Sequence, residues 1–237
     1  MSGQGSRAVL IDFEGIDGSG KGTQARRLCE RLAAERVSCA LISFPRYGET
    51  LFGKAVGEFL NGRFGALDQV HPFLVSLLFA GDRFESKGLL EQALLNNQVV
   101  VLDRYVPSNI AHQASKCPEG ERGELVERIL KIEHELYGMP RADLVLLLDL
   151  PVERAQELIA LKAKRDYTDR AADIQEADAR YLSNVREVYH GLARSEPGWR
   201  RIDCATSERL LSIDEVHAAI WNAVAPRLPT LARSVPS

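Results

Sequence analysis

The stretch Glu14-Gly15-Ile16-Asp17-Gly18-Ser19-Gly20-Lys21-Gly22-Thr23 follows directly on the apolar run Ala8-Val9-Leu10-Ile11-Asp12-Phe13. The run reads as a buried strand, and the glycine-rich stretch as the turn from it into a helix. Gly15, Gly20 and Lys21 keep the GxxxxGK spacing of a phosphate-binding P-loop. Glycines let backbone N–H groups close around phosphate oxygens, and the following helix adds its N-terminal partial positive charge. Lys21 supplies a full charge at the outer phosphates. Gly15, Ile16, Asp17, Gly18, Ser19, Gly20, Lys21, Gly22 and Thr23 are therefore the expected residues for binding a nucleoside triphosphate. The strict pattern has Ser or Thr after the lysine, to hold magnesium. Here Gly22 stands there and Thr23 comes next.

Bulk properties narrow the class. The 237 residues suit a single α/β domain, and 45% hydrophobic with 27% charged residues is ordinary for a globular protein. A net charge of -3 gives no reason to expect a nucleic-acid surface. Cys29, Cys39, Cys117 and Cys204 lack CxxC spacing and suggest neither a zinc site nor a disulfide framework. No apolar stretch is long enough for a membrane span and no secretory leader is visible, so the expected location is the cytoplasm.

Strand-like runs recur at Ala8–Phe13, Val37–Phe44, Val99–Asp103, Ala142–Asp149 and Trp199–Asp203, with helical patterns between them. The expected helices are Thr23–Arg36, one long apolar helix Val70–Leu95, Gly120–Tyr137, Pro151–Lys164 and Ile174–Arg194. A last helix opens on the capping box Ser212-Ile213-Asp214-Glu215. Pro226 onward, to residue 237, reads as a frayed tail. Alternating strands and helices imply a P-loop NTPase-type α/β fold: a parallel five-stranded sheet with helices on both faces. Ligands in such folds sit beyond the carboxyl ends of the strands.

Polar residues gather at those ends. Pro45-Arg46-Tyr47 follows the second strand and Asp103-Arg104-Tyr105 closes the third. Arg46 and Arg104 would form a second anion site facing the first, because guanidinium forks match phosphate geometry. Asp103 sits where an acid holds magnesium directly or through water; its other reading is a helix N-cap.

On these residues the chain resembles the thymidylate kinases, a nucleoside monophosphate kinase family. The resemblance rests on Phe13–Gln24, Phe44-Pro45-Arg46-Tyr47-Gly48, Phe79-Ala80-Gly81-Asp82-Arg83 and Asp103-Arg104-Tyr105-Val106-Pro107-Ser108-Asn109. It covers about residues 8 to 224. It implies that Asp17 reaches the acceptor sugar hydroxyl and its phosphate region. Arg46 takes the acceptor phosphate, with Phe44, Pro45 and Tyr47 beside it. Phe79 stacks under the thymine ring, and Arg83 donates to the exposed thymine carbonyl. Ser108, Asn109, His112 and Gln113 line the base and deoxyribose. Phe79 with Arg83, and Asn109 with Gln113, are i and i+4 pairs that share a helix face. Lys162–Arg170, in a short lid of about residues 162–173, resembles a phosphate-covering segment whose Arg165 or Arg170 meets the transferring group, since Gly18 stands where some members carry a loop arginine. The implied metal is Mg²⁺, on Asp103 and Thr23. The implied substrates are ATP and dTMP. The apolar helix Val70–Leu95 and the resemblance suggest a homodimer.

The expected reaction is γ-phosphoryl transfer from ATP to dTMP by positioning and charge stabilisation, with no strong general base. Other readings are a kinase for uridine, cytidine or adenosine monophosphate, and a deoxynucleoside kinase recruiting Glu14 as base. A different class is a non-catalytic P-loop binding module.

Overall fold

β1 (Val9–Glu14) lies at the centre of the sheet and is buried along nearly its whole length. The computed structural model describes residues 7–65, 69–160 and 179–228. Across these the strands are all parallel, in the order β2 (Cys39–Ser43), β3 (Val99–Asp103), β1, β4 (Leu144–Asp149), β5 (Trp199–Asp203). The five-stranded α/β fold expected from the sequence is the one observed. The pairings Phe13↔Asp103 and Ser43↔Asp103 bring the ends of β1, β2 and β3 level, so their loops open at one edge.

Side-chain alternation along β1 divides the core. Ile11 and Phe13 pack with Ala25, Leu28 and Leu32 of α1 (Lys21–Ala34) and with Ile220 and Val224 of α9 (Ile213–Val224). Leu10 faces a second cluster with Leu90 of α4 (Lys87–Asn96), Ile110 of α5 (Val106–Ala114) and Leu125 and Ile129 of α6 (Glu119–Leu130). Each such leucine or isoleucine contributes about 1.5–3 kcal/mol of burial. A smaller cluster joins Val56, Phe59 and Leu60 of α2 (Leu51–Leu60) to Val75 of α3 (Pro72–Glu85). α7 (Val152–Ala160) and α8 (Ala179–Ser195) complete the cover, and Ser212 and Glu215 form the expected capping box at α9.

Several expectations need correction. Val70–Leu95 is two helices, α3 and α4, meeting at Ser86, whose φ of -91° and ψ of 1° interrupt the helix. The Ser86 N–H is shared between the Asp82 and Arg83 carbonyls, and its hydroxyl accepts from Arg46. The pattern Gly120–Tyr137 is α6 followed by a π-helical segment, Lys131–Leu136. Ala225–Arg227 is a 3₁₀ turn where the tail was expected to begin. The cysteine spacing gave no disulfide, yet the fold joins Cys29 of α1 to Cys39 of β2, with Cα atoms 5.7 Å apart. The expected lid of about 162–173, with Arg165 and Arg170, lies outside the described residues.

Candidate active site

The loops after β1, β2 and β3 surround a cavity of about 740 Å³. At one end lies the glycine loop. Gly20 (φ 91°) is the N-cap of α1, so the first-turn amides of that helix are turned toward the loop. Lys21 folds back along it and donates to the carbonyls of Gly15 and Ile16, both at 2.9 Å. Burial, then the charge of Arg104, pull the Lys21 ammonium down to about 8, against the pull of Asp17, Asp103 and Glu14. The departure at Gly22 has a steric reason. A Cβ there would lie 2.8 Å from Asp103 Oδ2, closer than side chains pack. Asp103 therefore stands hard against the start of α1. It is not a helix cap: α5 is capped at Tyr105, with no side-chain cap hydrogen bond.

Arg104 adopts a left-handed backbone (φ 71°), which non-glycine residues hold only under constraint. The constraint is visible on both sides. Its N–H donates to Phe13 O at 3.1 Å. Its guanidinium donates to Asp17 Oδ1 at 2.5 Å, Ser108 Oγ at 3.1 Å and His112 Nε2 at 3.3 Å. Arginine only donates, so Nε2 accepts and the proton of His112 sits on Nδ1, facing Tyr181 Oη at 2.8 Å. Burial, then Arg104, push the His112 pKa down to about 3, so the ring is neutral.

Glu14 is not a candidate base. Its carboxylate accepts from the backbone N–H groups of Tyr105 and Ser108, both at 2.9 Å, from Ser108 Oγ at 2.6 Å and from Tyr189 Oη at 2.7 Å. It is the acceptor that shapes the turn between β3 and α5.

At the far end, Phe79 and Arg83 of α3 and Asn109 and Gln113 of α5 line the cavity together. Arg83 is buried, and Glu133 of the π-helical segment takes its Nε (2.9 Å to Oε2) and its Nη2. Its Nη1 has no partner among the described residues. Asn109 Nδ2 donates to Ser76 O and Glu133 Oε1, both at 3.0 Å, so Oδ1 is the amide atom left over. Lys116 occupies Gln113 Oε1, and Gln113 Nε2 is buried without a partner among the described residues.

Of the residues read from sequence, Asp17, Gly18, Gly20, Lys21, Gly22, Thr23, Phe44, Pro45, Tyr47, Phe79, Arg83, Asp103, Arg104, Ser108, Asn109, His112 and Gln113 line this cavity. Gly15, Ile16 and Ser19 sit in the loop behind it. Arg46 does not line it. Its main-chain N–H is tied to Asp82 Oδ2 at 3.0 Å, and its guanidinium is turned to Glu49 and to Ser86 Oγ. Sequence reading missed Arg26, which lines the cavity from α1, and Asp82 and Glu133, which support it from behind. Asp82 lies within a motif block, but nothing local marks Arg26 or Glu133.

A phosphate cradle at one end and a base-sized polar pocket at the other, across a parallel sheet, define a P-loop nucleoside monophosphate kinase. Comparison narrows the class. The family described as thymidylate kinase matches residues 13–220. A thymidylate kinase of Mycobacterium tuberculosis is 35% identical over 191 residues, 81% of this chain and 87% of that protein. One from Synechococcus is 34% identical, covering 93% and 96%. The solved thymidylate kinase of Candida albicans superposes with a TM-score of 0.71 at 26% identity, covering 93% of this chain and 92% of its own. The chain belongs to the thymidylate kinase family.

Proposed function

We propose that the protein transfers the γ-phosphoryl group of ATP to a phosphate oxygen of dTMP, giving dTDP and ADP. The acceptor oxygen forms the new bond to the γ-phosphorus as the bond to the β,γ-bridging oxygen breaks. The dTMP phosphate is already largely ionised near neutral pH, so no general base is needed. The work left to the chain is alignment and charge stabilisation. Lys21 and the loop amides hold the donor phosphates, with Arg26 beside them. Asp17 and Arg104 hold the sugar and phosphate of the acceptor. Arg165 and Arg170 are proposed as the lid cations. Arg46 is proposed at the acceptor phosphate, which it reaches by exchanging its ion pair with Glu49. Pairs with an exposed partner are worth about 0–1 kcal/mol, so the exchange costs little.

The observation that carries the base assignment is the far pocket. Arg83 Nη1 donates, Asn109 Oδ1 accepts and Gln113 Nε2 donates. Thymine presents the complement: O4 accepting, N3–H donating, O2 accepting. Cytosine reverses the first two and fits worse.

Magnesium fits the near end. The described residues hold no cluster of three or more acidic, His or Cys ligands, so an ion there would be held by Asp103 and Thr23 with ATP phosphates and water, as Mg²⁺ commonly is. Gly22 keeps the space beside Asp103 Oδ2 clear. When bound, the ion neutralises charge on the β,γ oxygens.

The proposed assembly is a homodimer. Leu51, Leu74, Phe84, Leu89 and Leu95 of α2, α3 and α4 are exposed apolar side chains, and Leu95 is 76% accessible. Light scattering at micromolar concentration should give twice the chain mass; a monomer refutes it. The proposed location is the cytoplasm; no helix among the described residues is long and apolar enough to cross a membrane. The function is tested by a coupled assay with ATP, Mg²⁺ and dTMP, dUMP, dCMP, UMP or AMP. dTMP should be the preferred acceptor, and equal turnover of another base rejects the assignment.

A further inference from the structure

Glu133 is 0% exposed, lies outside the cavity, and touches two of the polar side chains that line its base end. We propose that Glu133 is a positioning residue that sets the hydrogen-bond code of the base pocket. Its carboxylate fixes which atoms of Asn109 and Arg83 are presented to the base. The inference rests on the dTMP reading above and adds to it the residue that enforces base choice.

An ionised carboxylate only accepts. Both Glu133 oxygens receive the Arg83 Nε, at 3.1 and 2.9 Å, and Oε1 also receives Arg83 Nη2 and Asn109 Nδ2. With Nδ2 aimed at Glu133 and at Ser76 O, the Asn109 amide has one stable orientation, with Oδ1 outward. That oxygen suits the N3–H of thymine and repels the N3 lone pair of cytosine. The same carboxylate spends the Nε and Nη2 donors of Arg83, so the guanidinium enters the pocket by Nη1 alone. Groups with no surface in a cavity commonly orient those that have one. Three features bring Glu133 there: the π-helical turn Lys131–Leu136, its closing Ile132 O to Tyr137 N–H bond at 2.8 Å, and the Met139 N–H on Glu133 O at 2.9 Å.

The substitution that isolates this role is Glu133→Gln, which keeps the shape. Oε1 receives both Arg83 Nη2 and Asn109 Nδ2, so the amide oxygen keeps that place and the new Nε2 stands where Oε2 met Arg83 Nε. Two donors then oppose each other at Arg83, and the guanidinium shifts so that Nη1 no longer meets the base. The expected result is a dTMP KM about tenfold higher, one good hydrogen bond lost. The KM for ATP and kcat should stay within about twofold, since neither cradle is touched. The kcat/KM ratio of dTMP over dCMP should fall by about tenfold or more. Glu133→Asp keeps an acceptor-only group, so its dTMP KM should rise while the base ratio stays within about threefold of wild type. If Glu133→Gln does not fold, as judged by circular dichroism and melting, Glu133→Asp carries the test, and a narrowed base ratio there overturns the proposal. A folded Glu133→Gln with unchanged dTMP KM and base ratio also overturns it, as does an equal loss of kcat on every acceptor. Wild type is assayed alongside. If wild type itself shows no preference for dTMP, the functional reading fails, and that outcome is distinct from failure at Glu133.

Discussion

Arg104 Nη2 lies 2.5 Å from Asp17 Oδ1, so the end of β3 is ionically bound to the middle of the glycine loop. The same guanidinium holds Ser108 and His112 of α5. One left-handed arginine thus links the glycine loop to α5. Replacing it with lysine keeps the charge but loses the fork. Arg104→Lys should lower kcat/KM for dTMP by about 10²-fold, with ATP affinity within a few fold. Steady-state kinetics and calorimetric titration of ATP check this. Near-normal turnover would mean that Arg104 is structural.

Lys21 is expected to give the enzyme an alkaline limit. Held at about 8 in the free protein, its ammonium loses its proton in mildly basic solution. The kcat/KM for ATP, which reports groups of the free enzyme, should therefore fall above pH 8. In the complex the phosphates hold the proton on, so kcat should stay flat over that range. Lys21→Ala should remove most activity, by about 10³-fold, and leave the circular dichroism spectrum unchanged. A pH profile with no break near 8 would place the lysine differently.

The strands and the glycine loop were legible because they are local. An unbroken apolar run and a spaced glycine motif need only neighbours in sequence to be read. α2 was not read as a helix because Gly53 and Gly57 weaken its pattern. Gly53 is set by tertiary contact: a Cβ there would lie 2.2 Å from Arg46 O. At Ser86, where the helix is interrupted, the hydroxyl accepts from Arg46, forty residues away, a partner that no local pattern reveals. Arg46, although inside a motif block, faces Glu49, a carboxylate three residues on that is close enough to pair with it. Glu133 was invisible because its meaning comes from Arg83, 50 residues distant.

His112 should shape the acid limb of stability. Its folded pKa of about 3 lies below the unfolded value near 6.5. Between those values the unfolded chain binds more protons, so stability rises with pH and is lost as pH falls. His112→Gln does not titrate. Relative to it, wild type should lose about 3 kcal/mol on going from pH 7.5 to pH 4. His134 and His217 are also shifted down, by burial above all, but they act alike in both proteins and cancel. Urea unfolding at a series of pH values measures the difference; parallel curves would mean that His112 is charged or exposed in the folded state.

Asp12 should act in the opposite direction. It is fully buried on β1, two positions before Glu14 on the same face, and neither of its oxygens has a donor among the described residues. Burial, then the charge of Glu14, raise its pKa well above the usual carboxylate range. Protonated, its hydroxyl donates to Glu14; ionised, it is a second buried anion beside the first. A carboxyl with a raised folded pKa favours the fold below its unfolded value near 3.9 and loses that contribution as pH rises through the folded value. Asp12→Asn mimics the protonated carboxyl at every pH, since its NH₂ can donate to Glu14 as the hydroxyl did. It should match wild type at pH 4 and exceed it by about 1–3 kcal/mol at pH 8. The comparison is made by urea unfolding, with the slope against denaturant checked for constancy. If the variant is less stable than wild type at pH 8, Asp12 is ionised and usefully paired in the fold, and the carboxyl pair behind the glycine loop does not share a proton.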